Sequence, residues 1–149
     1  MKAKKLILDD KAVYLRLSAA KLAEYANAIG SGGNTLFAVM DALDDLQKQA
    51  ALFCAALTYK GNPNEITEGF DLIDMLADAG YSPVGVKELI IELATTAGVI
   101  SNGDAAKVVA AIKTGSDKLY EAAVAVLSGN MSNLPTAPAQ DAETQENPT

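Results

Sequence analysis

The stretch Lys4-Lys5-Leu6-Ile7-Leu8-Asp9-Asp10-Lys11-Ala12-Val13-Tyr14-Leu15-Arg16-Leu17-Ser18 decides how this chain is read. Leu6 and Leu8 share one face of an extended run, and Val13, Leu15 and Leu17 share one face of the next. That is the period of two expected of half-buried strands. Asp9-Asp10-Lys11 is a polar turn, so Lys4–Leu8 and Ala12–Leu17 are predicted to form a β-hairpin. A lone hairpin is marginal in water, so it has to pack on helices or join another chain's sheet.

After Ser18 the pattern is helical. Ser18 is an N-cap for a helix predicted over 19–29, with Leu22, Tyr25, Ala26 and Ile29 as its apolar stripe and Gly30 as its stop. Ser31-Gly32-Gly33-Asn34 is a flexible connector. Asn34 or Thr35 opens a run carrying Leu36, Phe37, Val39, Met40 and Leu43. Leu46, Ala50, Phe53, Cys54 and Leu57 continue it to Tyr59, as one bent helix or as two broken near Asp44-Asp45. Lys60-Gly61-Asn62-Pro63-Asn64 ends it. Thr67 is read as the cap of a helix to Ala79, with Phe70, Ile73, Leu76 and Ala77 inward. Ser82-Pro83 is a cap followed by proline at the first helical position. That helix carries Val86, Leu89, Ile90, Leu93 and Ala94 and closes at Gly98. Two shorter helices are predicted over 104–113 and 117–128. No internal repeat is present.

The chain has 149 residues, room for one domain with a sizeable core. Alanine fills 27 positions and aromatics only 5%, which favours helix over sheet. Charge is unevenly spread. Residues 1–17 carry net +3, residues 18–129 net −7 and residues 130–149 net −3. The last segment holds Pro135, Pro138 and Pro148, with only Met131 and Leu134 to pack, so it is read as disordered. The expected fold is therefore mainly α. An N-terminal β-hairpin precedes a compact bundle of six or seven short helices in a single domain, 1–129, followed by a disordered acidic tail, 130–149.

Composition excludes several functions. Without histidine there is no Ser-His-Asp triad, no Cys-His pair and no His-ligated metal. One cysteine, Cys54, allows no intrachain disulfide and no thiolate cluster; on its apolar helix face it reads as a buried structural thiol. The apolar runs fall short of the ~20 residues of a membrane helix. Only Leu6, Ile7 and Leu8 follow the basic start before Asp9, so no signal peptide is expected. A net charge of −7 disfavours nucleic acid and anionic membrane as partners. The expectation is a cytoplasmic protein without cofactor or metal.

Three candidate features remain. Asp71, Asp74 and Asp78 fall at i, i+3 and i+7, on one helix face; they are the candidate partner-binding residues. Asp41, Asp44 and Asp45 repeat the theme. A carboxylate metal site at Asp71, Asp74 and Asp78 would make the chain an enzyme, but helical carboxylates diverge unless a second helix faces them. Gly30-Ser31-Gly32-Gly33 lacks the Gly-Lys-Ser/Thr ending of a phosphate loop. Residues 89–112 resemble a helix-turn-helix and the opening helices of histone-like bacterial proteins. A small DNA-binding regulator is therefore the alternative reading. Its second helix offers only Lys107 and Lys113 beside Ala and Val, and Arg16 is the single arginine, a poor set for phosphates and base edges.

The order of elements from Leu6 to Gly98 resembles the tail assembly chaperones of long-tailed (siphovirus-type) bacteriophages and prophages of Gram-positive bacteria. The resemblance rests on Leu6-Ile7-Leu8, a polar turn and Tyr14-Leu15-Arg16-Leu17-Ser18. It continues with a first helix bearing Leu22 and Tyr25, a Gly-rich break at Gly30–Gly33, and a helical run ending Ala55-Ala56-Leu57-Thr58-Tyr59. Asn62-Pro63-Asn64, Ile66-Thr67, Phe70-Asp71-Leu72-Ile73-Asp74, Gly80 and a helix to Ala97-Gly98 complete it.

The resemblance implies a non-enzymatic protein of the host cytoplasm, absent from the mature virion. It implies binding to the tape measure protein, a very long helical polypeptide. The chaperone would keep that client soluble and help recruit tail tube protein during virion assembly. The basic hairpin and acidic body suggest head-to-tail self-association into rings or spirals.

Overall fold

The computed structural model describes residues 2–31, 33–114, 126 and 127. Within these it is mainly helical, with an N-terminal hairpin and six helices. The acidic tail, and the helix expected over 117–128 apart from Val126 and Leu127, lie outside the described residues.

Strands β1 (Lys4–Leu8) and β2 (Lys11–Leu15) pair antiparallel, Leu6 opposite Val13 and Leu8 opposite Lys11. The turn is two residues, not three. Asp9 and Asp10 both take positive φ, 50° and 69°, the signature of a type I′ turn whose twist suits a hairpin. Asp tolerates this conformation better than most side chains. Lys11 is thereby released to close the ladder. β2 also ends earlier than expected, because the Arg16 N–H donates to the Ala56 carbonyl (3.0 Å). Leu6, Leu8, Val13, Leu15 and Leu17 are buried, so the inner face of the hairpin rests on the helices.

The caps set the helices. In α1 (Ala19–Ala28) the Ser18 hydroxyl accepts from Lys21 N–H at 3.2 Å. Gly30, at φ +79°, lets Ser31 N–H reach back to the Ala26 carbonyl. Asn34 caps α2 (Thr35–Ala42). The run to Tyr59 is two helices. Asp45 leaves helical geometry, at φ −132° and ψ 110°, and its carboxylate accepts the Lys48 N–H to open α3 (Leu46–Leu57). Ser82 caps α5 (Pro83–Thr96), and its five expected apolar residues are all buried. Helix α6 (Asn102–Thr114) starts two residues early because the Ser101 hydroxyl accepts the Asp104 N–H.

Helix α4 (Gly69–Asp78) departs most from expectation. It starts after Glu68, not Thr67, and Glu68 makes no side-chain cap. Its inward residues are Gly69, Leu72 and Leu76, while Phe70 and Ala77 are exposed. The cause is Gly69: a Cβ there would lie 1.7 Å from the Ala50 carbonyl oxygen. Backbone meets backbone at that point, and the side 69–72–76 is turned to α3.

Helix α3 is the centre of the fold, packed against α1, α2, α4 and β2. Its Leu52, Phe53, Ala56 and Leu57 have no exposed surface. Helix α6 packs on α5, which touches α2. No polar or charged residue is buried among those described.

Candidate functional site

Asp71, Asp74 and Asp78 lie on the solvent side of α4, opposite Gly69, Leu72 and Leu76. None of the three has an ion pair or side-chain hydrogen bond to a described residue. Asp71 sits in the first turn, where the helix dipole favours a negative charge. No second helix among the described residues faces them, and all three are exposed. Among the described residues no group of three or more acidic or thiol side chains is placed to hold a metal ion.

The second acidic cluster is neutralised locally. Lys48 is hydrogen-bonded to Asp41 and lies 3.9 Å from Asp45. The hydrogen bond to Asp41 is the main cause raising the Lys48 pKa above that of a free lysine. Asp44 pairs with Lys87 of α5 at 3.2 Å, tying the α2–α3 turn to a helix 43 positions further along the chain. Beside these carboxylates Tyr25 is buried and donates to the Ala38 carbonyl (2.7 Å). Burial first, then Asp41 and Asp45, push its ionisation far above the normal tyrosine range.

The surface also carries side chains that periodicity assigned inward. Phe37, Leu46 and Phe70 are 46%, 57% and 50% exposed. They occupy the first turns of α2, α3 and α4. Small residues take the inner positions instead: Ala38 and Ala42 are wholly buried in α2, and Gly69 does this in α4. Such close helix approach leaves no room for a phenyl ring on the same side. The alanine content and Gly69 were the signal that could have found these three residues.

Cys54 is half-buried, not buried. It lines a shallow groove of about 250 Å³ between α1 and α3, with Tyr25, Ala28 and Ala51. A larger groove, about 380 Å³, lies along β2, bounded by Ala12 and Tyr14 on one side and Pro63, Ile66 and Met75 on the other. Gly30 follows Ile29, the C-cap of α1, and its positive φ turns the chain out of the helix.

The helix-turn-helix-like segment is α5, a turn at Gly98 (φ +81°) and α6. Ala105, Val108, Ala111 and Ile112 of α6 are buried. Its outer face presents Gly103, Ala106, Lys107, Ala110 and Lys113, and Lys113 lies 4.0 Å from Glu88. No helix among the described residues is long and apolar enough to cross a membrane. Comparison with protein-family models, curated proteins and solved structures finds no match to this chain.

Proposed function

We propose that this chain is a tail assembly chaperone of a long-tailed bacteriophage or prophage. It binds the tape measure protein, keeps it soluble and helps recruit tail tube subunits. It acts by contact in the host cytoplasm, catalyses nothing and leaves before the virion is complete. The alternative of a DNA-binding regulator finds less support, because the exposed positions of α6 offer only two cations, Lys107 and Lys113.

One observation carries the reading beyond the resemblance in element order. Three large apolar side chains, Phe37, Leu46 and Phe70, stand in water at the starts of three consecutive helices. An unassembled long helix exposes apolar stripes that a partner must cover reversibly, and isolated aromatic and aliphatic anchors suit that task. The carboxylates of Asp71, Asp74 and Asp78 follow Phe70 along α4 and keep such a complex soluble.

The test is a titration of the purified chain into a helical segment of the tape measure protein, followed by calorimetry. Binding that weakens about tenfold in Phe37→Ser or Phe70→Ser, with helix content unchanged, supports the reading. Equal binding by both variants removes these residues as contacts.

A further inference from the structure

Among the described residues strand β1 has only one partner, β2. The direction of its remaining backbone groups follows from Tyr14. The Tyr14 N–H donates to Asn64 Oδ1 (2.8 Å) and its carbonyl accepts from Asn64 Nδ2 (2.7 Å). Both groups therefore point away from β1. Lys5, the register partner of Tyr14, must then point its own N–H and carbonyl away from β2. Alternation gives Ile7 the same orientation. No described residue bonds these four groups. The Ile7 side chain between them is 61% exposed.

We propose that β1 is a dimerisation edge, pairing antiparallel with β1 of a second copy in a register centred on Leu6. Lys5 of each copy then faces Ile7 of the other, and each pair exchanges two backbone hydrogen bonds, four in all. Charge selects the second copy as occupant. The segment begins with Lys2, Lys4 and Lys5 and ends with Asp9 and Asp10. Antiparallel pairing sets Lys2 of one copy against Asp10 of the other, whereas parallel pairing would stack lysine on lysine.

Edge lysines usually keep strands apart. Here both are engaged within their own chain. Lys4 bonds Glu92 of α5 at 2.7 Å, and the Lys5 ammonium lies 5.9 Å from the Tyr14 ring centroid. The contact is isologous and closes at two copies. It turns a marginal two-stranded ribbon into a four-stranded sheet, β2-β1-β1-β2, with both helical bodies on one side. This differs from a head-to-tail contact of hairpin on acidic body, which would continue beyond two.

Sedimentation equilibrium of the full chain tests it. The expected result is a monomer–dimer equilibrium that Ile7→Lys weakens about tenfold. The substitution places like charges opposite Lys5 twice in a symmetric contact. Far-UV circular dichroism should be unchanged. The exchange of the Lys5 and Ile7 amides in the unaltered chain should also slow as concentration rises. A monomer at all concentrations, assemblies larger than two, dimers indifferent to Ile7→Lys, or concentration-independent exchange at both amides would each overturn the proposal.

Discussion

The side chain of Asn64 covers the edge of β2 at Tyr14 by taking both of its backbone groups, fifty positions away in the chain. The same Nδ2 also donates to the Leu57 carbonyl at 2.8 Å. One carboxamide thus stands in for a missing strand and ties hairpin to α3. Replacing it leaves partly buried backbone groups without partners, a cost of about 1–3 kcal/mol. Asn64→Ala should lower the melting temperature by roughly 2–10 °C for a domain of this size. Asn64→Asp should do no better, since it sets a carboxylate against two carbonyl oxygens. Urea melts with unchanged slope would show that stability, not compactness, has altered.

Gly69 should be the glycine least tolerant of alanine. A Cβ 1.7 Å from the Ala50 carbonyl oxygen forces α4 off α3, and about 3 kcal/mol is expected to be lost. Gly103 in α6 meets nothing within 4 Å. Gly103→Ala should therefore stabilise, by about 0.5–1 kcal/mol, through helix propensity. Paired denaturation curves of the two variants check both signs. A mild Gly69→Ala would show that the α3–α4 contact is looser than described.

Tyr25 makes stability depend on pH in the alkaline range. An unfolded tyrosine titrates near pH ~10. In the fold, burial and then Asp41 and Asp45 hold Tyr25 protonated to higher pH. The native state keeps a proton that the unfolded state releases. The stabilisation is whole below pH ~10 and is lost as pH rises, by about 1.4 kcal/mol per unit for this one group. Tyr25→Phe should be less stable at pH 7, since the Ala38 carbonyl loses its donor, and its decline above pH ~10 should be shallower. Parallel curves for the two proteins would contradict this.

Two rival activities give expected null results. Thermal stability should not change with millimolar Mg²⁺, Ca²⁺ or Mn²⁺, because Asp71, Asp74 and Asp78 do not converge. A mobility-shift assay at low salt should show no DNA complex. A melting shift abolished by Asp74→Asn, or a shift abolished by Lys107→Ala, would revive the metal or the DNA reading respectively.

Much of this fold could be read from local chemistry. Ser18, Asn34 and Ser82 cap the helices they precede, Gly30 and Gly98 end theirs, and the alternation from Leu6 to Leu15 pairs as expected. Features set by distant contacts could not. Asn64 reads as a turn residue until Tyr14 is placed beside it. Phe70 matches an inward period until Gly69 is seen to rest on Ala50. Phe37 is displaced outward by the close approach that Ala38 and Ala42 permit. The candidate carboxylates were legible as one exposed face, whereas the apolar anchors beside them were not, because apolar periodicity alone assigns Phe and Leu to the core.

The central claim is that this chain solubilises a long helical client. Co-expression with a tape measure protein, the client proposed above, tests this most directly. The client should be insoluble alone, soluble and co-purifying with this chain, and insoluble again with a chain carrying both Phe37→Ser and Phe70→Ser. A client equally soluble with and without this chain would contradict the account.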